Sequence, residues 1–429
     1  MDSKSEGCGF ESRRGHYDKQ DFVPYNMGER NPIMPIIQSV LDNDLYKFTM
    51  QRAVLGYKQN VPVESVFNNR RPEGKFNRDF MDGFNRGLEE MALLRATDQE
   101  IEFFERACPF MGHEYFDYLA NYRYNPNEVR AELVDNELVL GYKGTWEHTI
   151  LWEVPLMAMI SELFFIHCDK DWNSEDQIDK IKTKSQRLMN TTFTDFGTRR
   201  RRNFKTQEMV VSFFKNHNPK FMGTSNVHLA HKYGVRPIGT MAHEWIMGIS
   251  ALESLRHANR YAMKIWSDIY KGELGTALTD TFGTDVFWQD FDVALAKLFD
   301  GPRHDSDCPY KFTDKAVANY KRMRIDPTTK TAIFSDGLDT DSALEIEKYC
   351  DGKIRCSFGI GTHFTNDFVN SSGGVSKPLN MVIKMARCNG TPVVKLSDNP
   401  SKAIGDKDAL RVAKWTFFGQ SLDNVGSSN

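Results

Sequence analysis

The segment Val235–Trp245, VRPIGTMAHEW, carries an apolar run into a Gly-Thr turn and then presents His243 beside Glu244. A neutral imidazole near a carboxylate suits the transfer of protons or phosphoryl groups. A single histidine near a strand end more often serves packing, so its company decides. Late in the chain SFGIGT offers Gly359, Gly361 and Thr362, unhindered N–H groups and a hydroxyl of the kind that cradles phosphate. MGTSNVH, with Thr224 and Ser225, is a second small-residue turn. Either could be a plain turn former. Acids and hydroxyls crowd three further places: LTDTFGTD (Thr279, Asp280, Thr281, Asp285), RHDSD (Arg303–Asp307) and SDGLD (Ser335–Asp339, including Asp336). Such clusters suit Mg²⁺ carried on substrate phosphates, or ribose hydroxyls; helix capping accounts for part of them. Finally FTDFGTRRRRNF sets Phe196 beside four arginines, a combination able to stack a flat heterocycle and fix a carboxylate or phosphate. The bland reading of that run is a solvated basic patch.

These groups need a scaffold that brings strand ends together. VRPIGT, LGTALTDTFGTD, TKTAIFSDGLDT and KIRCSFGIGTHF are β-prone runs that end in small or acidic residues and are separated by helix-like stretches. That is the pattern of successive βα units, whose functional groups collect at the carboxyl ends of the strands. A closed barrel and an open doubly wound sheet both satisfy it. Ahead of these units, apolar positions recur at helical spacing from Ile36 to Val54, broken by Asp42–Asp44. VPVESVFNNRR reads as a strand ending at Arg70 and Arg71, and helices are expected over Arg78–Leu93 and Asp98–Cys108. RAELVDNELVLGYKGTW adds short strand signals, so the region to about Tyr142 reads as a separate α+β domain. Leu151–Cys168 is the most apolar stretch, but Glu153, Pro155 and Glu162 interrupt it, and it reads as a buried helix rather than a membrane span.

The chain has 429 residues, enough for more than one domain. Fifty-five Lys and Arg against 58 Asp and Glu leave a net charge of −3, which argues against general binding to nucleic acid or an anionic membrane. Any phosphate recognition must be local. Seven scattered cysteines with no CxxC pair suggest neither zinc nor a disulfide framework, and a reducing cytoplasm is the expected compartment. The expected division is 1–33 a weakly ordered extension, 34–165 an N-terminal α+β domain, 166–375 the catalytic β/α unit, and 376–429 a C-terminal segment packing back on the N-terminal domain.

In order along the chain, LDNDLYKFTM, FTDFGTRRR, GTSNVHLA, PIGTMAHEW, ALTDTFGTD, RHDS, FSDGLD, SFGIGT, KPLNMVIK and KLSDNPSK closely resemble the nicotinate phosphoribosyltransferase family. Each motif is short; ten in sequence are specific. The resemblance implies a type II phosphoribosyltransferase fold, an irregular β/α barrel with a separate N-terminal α+β domain. It implies an ATP-coupled enzyme, formally a carbon–nitrogen ligase. Nicotinate, phosphoribosyl pyrophosphate, ATP and water would give nicotinate mononucleotide, pyrophosphate, ADP and phosphate, the first step of NAD synthesis from nicotinate. His243 matches the histidine that ATP phosphorylates, with Glu244 or Asp280 expected to hold its tautomer. Asp280 and Asp305 complete the expected catalytic set.

The same resemblance assigns Tyr46, Phe196, Arg199, Thr224 and Ser225 to nicotinate, with Tyr46 supplied across a dimer interface in dimeric relatives; a homodimer is thus open to this chain. Arg70, Arg303, Asp336, Gly359, Gly361 and Thr362 fall to phosphoribosyl pyrophosphate. Mg²⁺ would arrive on the pyrophosphate, with no dedicated protein metal site. One departure stands out. The family usually reads RxDSGDP where this chain has RHDSDCP, so Asp307 replaces a glycine and Cys308 an acid. Aspartate tolerates φ > 0 better than most residues. Two alternatives share the fold: a nicotinamide-specific transferase, in which an acid would meet the carboxamide where this chain has Ser225, and a catalytically silent nucleotide-binding relative.

Overall fold

In the computed structural model, residues 35–71 and 74–419 are described; the 1–33 extension lies outside them. Three strands come first, β1 (Pro62–Asn69), β2 (Val129–Val134) and β3 (Glu137–Thr145). Six follow: β4 (Phe193–Asp195), β5 (Phe221–Thr224), β6 (Thr276–Leu278), β7 (Gly301–His304), β8 (Thr331–Phe334) and β9 (Arg355–Ile360). A two-stranded ribbon, β10 (Phe368–Val369) and β11 (Val375–Ser376), precedes β12 (Met381–Cys388) and β13 (Thr391–Pro392).

The chain builds two principal sheets. One is antiparallel, in the order β13-β12-β1-β3-β2, so the late strand β12 lies against the early strand β1 and pairs Val63 with Cys388. Its β2–β3 hairpin turns at Asp135 and Asn136, both at positive φ, the turn that matches strand twist. Helices Arg78–Ala92 and Asp98–Ala107 belong to the same half, the second opened by a capping box between Thr97 and Glu100.

The other sheet is wholly parallel, in the order β5-β4-β9-β8-β7-β6. Thr194, Met222, Thr276, Arg303, Ile333 and Ser357, one from each of its six strands, line a single cavity of about 510 Å³. The sheet therefore wraps around an interior, which is the irregular β/α barrel rather than the open alternative. Between these halves the helix Glu153–His167 is buried on nearly every face, with Pro155 tolerated in its first turn. The apolar stretch Trp146–His167 is long enough to cross a membrane, but most of it is buried inside the protein, as a core helix would be.

Two expectations need correction. VRPIGT is not a strand: only Pro237 bridges Thr224, in parallel, with Ile238 N–H donating to Thr224 O at 2.9 Å. Proline cannot donate to a ladder, so the run stops at one bridge and forms a partial stave beside β5. The helical spacing from Ile36 yields a helix only from Leu45 to Tyr57. Before it, Asp42 is held by Arg201 at 2.7 Å and Asn43 donates to Leu151 O at 2.9 Å, and these buried polar contacts fix an irregular backbone.

Candidate active site

Each expected strand-end group sits just beyond a barrel stave. Phe196 follows β4, Ser225 follows β5, His243 follows the Pro237 bridge, and Asp280, Asp305 and Asp336 follow β6, β7 and β8. Gly361 and Thr362 follow β9. Short parallel strands feeding helices leave these residues on one rim.

His243 opens the helix His243–Leu252 and is 4% exposed. Its Nδ1 lies 3.0 Å from Thr281 Oγ1. Its Nε2 lies 3.0 Å from Asp305 Oδ2, 2.8 Å from Lys395 Nζ and 3.7 Å from Asp280 Oδ1. Burial and the Lys395 ammonium lower its pKa to about 4 against the pull of the two aspartates, so the ring is neutral at physiological pH. With Nδ1–H donated to Thr281, the Nε2 lone pair accepts from Lys395 and is the nucleophilic nitrogen.

The partner at Nδ1 is thus Thr281, and neither Glu244 nor Asp280 reaches that nitrogen. Glu244 turns the other way, taking Lys47 Nζ at 2.5 Å and Trp146 Nε1 at 2.9 Å. Asp280 is buried at 1% exposure and takes Ser306 Oγ at 2.6 Å and Lys395 at 3.1 Å. Burial alone would raise Asp280, but His243 and Lys395 hold it below the usual carboxylate range. Asp305 is likewise held well down, against burial, by Arg303, with the Lys395 ammonium adding to it.

Arg303 ties this cluster to the cavity. Its NH2 donates to Asp305 Oδ1 at 3.2 Å, its Nε to Ser335 Oγ at 2.9 Å, and its guanidinium stands 6.0 Å from the Phe196 ring. Lys402 Nζ meets Asp336 Oδ1 at 2.5 Å. Asp44, Tyr46, Phe196, Arg199, Ser225, Arg303 and Gly359 all line the same cavity. Tyr46 thus reaches the cavity of its own chain.

The four arginines divide. Arg201 is bound to Asp42, and Arg202 donates to Asn366 at 2.9 Å and packs on Phe165, so both are structural. Arg199 lies 3.6 Å from Glu153 and 6.0 Å from the Tyr46 ring. Arg200 is pushed down to about 10 by burial and by Arg199 and Arg70, against the pull of Asp336 and Asp305.

Near the end of β9, Gly359 has a reason unconnected with phosphate: a Cβ there would overlap the Phe196 ring. Gly361 is close to Phe196 O, where a Cβ would come within 3.1 Å. Among the described residues, no hydrogen bond from the N–H groups of Gly361 or Thr362 is seen. The turn after β5 differs. Thr224 N–H donates to Arg236 O, Ser225 N–H to Asp195 O and Asn226 N–H to Thr224 Oγ1. Thr224 Oγ1 donates to Asp195 at 2.7 Å and Ser225 Oγ to Asp44 at 2.7 Å.

Ligand atoms of His243, Asp280 and Asp305 lie within 4.8 Å of one another, a spacing a cation could use. Lys395 Nζ already stands among them, so these residues do not fit a resident divalent metal. Sequence reasoning did not assign Lys395 or Lys402, although both bound the quoted KLSDNPSK, nor Thr281, Asp44 and Asp195. Lysines are common on surfaces, and only the fold shows Lys395 at 5% exposure against a histidine 152 residues away.

Comparison with known proteins agrees over most of the chain. Residues 191–420 match the model of the nicotinate phosphoribosyltransferase (NAPRTase) family, and residues 41–161 match that family's N-terminal domain. The chain is 45% identical over 413 residues to the nicotinate phosphoribosyltransferase of Methanosarcina mazei, covering 90% of this chain and 100% of the relative. The crystal structure of nicotinate phosphoribosyltransferase from Porphyromonas gingivalis superposes with a TM-score of 0.85 at 38% identity, covering 89% of this chain and 100% of that one. That of Vibrio cholerae gives 0.84 at 36% identity, covering 92% and 96%.

Proposed function

The chain belongs to the nicotinate phosphoribosyltransferase family, and from that premise we propose that it couples ATP cleavage at His243 to phosphoribosyl transfer. The transferase reaction joins nicotinate to phosphoribosyl pyrophosphate, forming nicotinate mononucleotide and releasing pyrophosphate. It is a step of NAD biosynthesis.

The observation that carries the ATP proposal is the neutral, buried imidazole whose Nε2 faces Lys395 and Asp305. The Nε2 lone pair attacks the γ-phosphorus of ATP, a P–N bond forms, the bond to the β-phosphate oxygen breaks, and ADP leaves. Thr281 keeps the Nδ1 proton, and Lys395 turns from Nε2 to a phosphoryl oxygen. Water later cleaves the P–N bond. The coupled reaction makes the enzyme formally a carbon–nitrogen ligase.

Nicotinate lies between Phe196 and Tyr46, with its carboxylate toward Arg199 and Ser225. Its ring nitrogen attacks the ribose anomeric carbon while Asp305 and Asp280 face the developing positive charge. Arg303, Arg70 and Arg200 receive the departing pyrophosphate, and the Gly361–Thr362 turn the 5′-phosphate. Mg²⁺ carried on the phosphates supplies further charge neutralisation. The cysteines of the described residues are free, in keeping with a cytoplasmic enzyme.

An assay of nicotinate mononucleotide formation with and without ATP tests this reading. Product in both, faster with ATP, is expected. No product under either condition would identify a silent relative, and equal use of nicotinamide would remove the specificity.

A further inference from the structure

The pyridine end of the cavity poses a problem of protons. Nicotinate brings a carboxylate, which needs donors, yet the turn after β5 has none to spare. Its N–H groups at Thr224, Ser225 and Asn226 are bonded internally, the Thr224 hydroxyl proton goes to Asp195, and the Ser225 hydroxyl proton goes to Asp44. What Ser225 shows the cavity is lone pairs, and behind it stands Asp44, itself lining the cavity and only 2% exposed. Of the cations that line the cavity, Arg199 is shared with Glu153 at 3.6 Å and Arg303 is tied to Asp305 and Ser335. In this state the turn is arranged to accept hydrogen bonds, as a carboxamide would want.

The geometry points to a proton taken up together with nicotinate. Asp44 becomes protonated in the complex, its O–H donates to Ser225 Oγ, and the Ser225 hydroxyl turns its own proton to the nicotinate carboxylate. This deepens the nicotinate reading and rests on it. One proton from solvent is bound at Asp44 and no other bond changes. Asp44 is then the specificity residue, choosing between acid and amide by its protonation state.

The surroundings favour such a change. Burial raises Asp44 above the ordinary carboxylate range, opposed by hydrogen bonds from Ser225 and Thr198 and by Arg199, and reinforced by Glu153. Asp195 on β4, itself raised to about 6 chiefly by burial, also feels Asp44. Arg201 stands on the other side but is neutralised by Asp42. On the helix that Asp44 precedes, Tyr46 is neutral and Lys47 is turned to Glu153 and Glu244. A second anion entering beside Asp44 raises it further by like-charge repulsion.

Calorimetric titration of nicotinate into the enzyme, in two buffers of different ionisation enthalpy at one pH, reads the proton directly. Wild type is expected to take up close to one proton per nicotinate bound. Asp44→Asn is expected to bind nicotinate with none, because the asparagine amide donates to Ser225 permanently. Zero uptake by the wild type, or undiminished uptake by Asp44→Asn, overturns the inference. Should that variant not fold, Ser225→Ala replaces it; there the relay is cut, and uptake and affinity both fall, whereas unchanged values overturn the inference. Turnover is assayed separately. Nicotinate turnover without proton uptake removes this inference and leaves the function standing, while absence of turnover removes the nicotinate reading itself.

Discussion

His243 owes its nucleophilic form first to burial and then to one neighbour. Lys395 donates to Nε2 at 2.8 Å, and it adds to the desolvation that brings the imidazole from its ordinary 6.5 to about 4. Lys395→Met removes that charge while Asp280 and Asp305 remain, so the ring should titrate higher than in wild type, with the acid limb of kcat/KM moving up in step; NMR titration of the imidazole checks the first and a pH profile the second. The same depressed value has a stability consequence. Between pH 6.5 and 4 the unfolded chain binds a proton at this histidine that the folded one does not, so this contribution is full above 6.5 and is lost as pH falls through that window. Urea midpoints from pH 7 to 4.5 should fall more steeply in wild type than in His243→Gln. At this scale the sequence showed which residue types were present but not which touched. His243, Asp280 and Asp305 were legible as strand-end groups. Lys395 and Thr281 were not, since their meeting with His243 spans 152 and 38 residues and depends on where a loop lands.

Among the elements, the turns after the strands carry the chemistry, and each has its own constraint. Asp307 takes φ 68°, a left-handed backbone, in the loop between β7 and the helix Pro309–Arg322. The departure RHDSDCP is therefore accommodated in the backbone: aspartate occupies a conformation that suits glycine. Asp307→Gly should be neutral or mildly stabilising and Asp307→Ala should cost about 1 kcal/mol, as denaturant unfolding would show. Cys308 caps that helix without a side-chain hydrogen bond. Gly359 is required by the Phe196 ring rather than by phosphate. Gly359→Ala should displace the ring and raise the KM for nicotinate by on the order of tenfold, with a much smaller change for phosphoribosyl pyrophosphate. The βα rhythm was legible because strands end in small and acidic residues. The VRPIGT stave was overread, because apolar character does not restore the hydrogen bond that proline lacks.

Across the whole molecule, neither half owns the site. Tyr46 and Asp44 come from the first described segment, Phe196, Ser225, Asp305 and Gly359 from the barrel rim, and Lys395 and Lys402 from the stretch after β12 and β13. Pairing of β12 with β1 returns the chain to the N-terminal sheet, and Leu396 N–H then donates to Thr281 O at 2.8 Å, which sets Lys395 beside His243. Antiparallel pairing of strands more than 300 residues apart is invisible to local periodicity, so the sequence offered the expectation that 376–429 returns to the N-terminal domain but not which strands pair or in what register. The account's central claim is that His243 carries a phosphoryl group from ATP. Intact-mass measurement of the enzyme after incubation with ATP and Mg²⁺, followed by peptide mapping under conditions that preserve phosphohistidine, tests it most directly. The account predicts one acid-labile phosphoryl group on His243, absent from His243→Ala. An unmodified chain under turnover with ATP, or the same adduct surviving in His243→Ala, would contradict it.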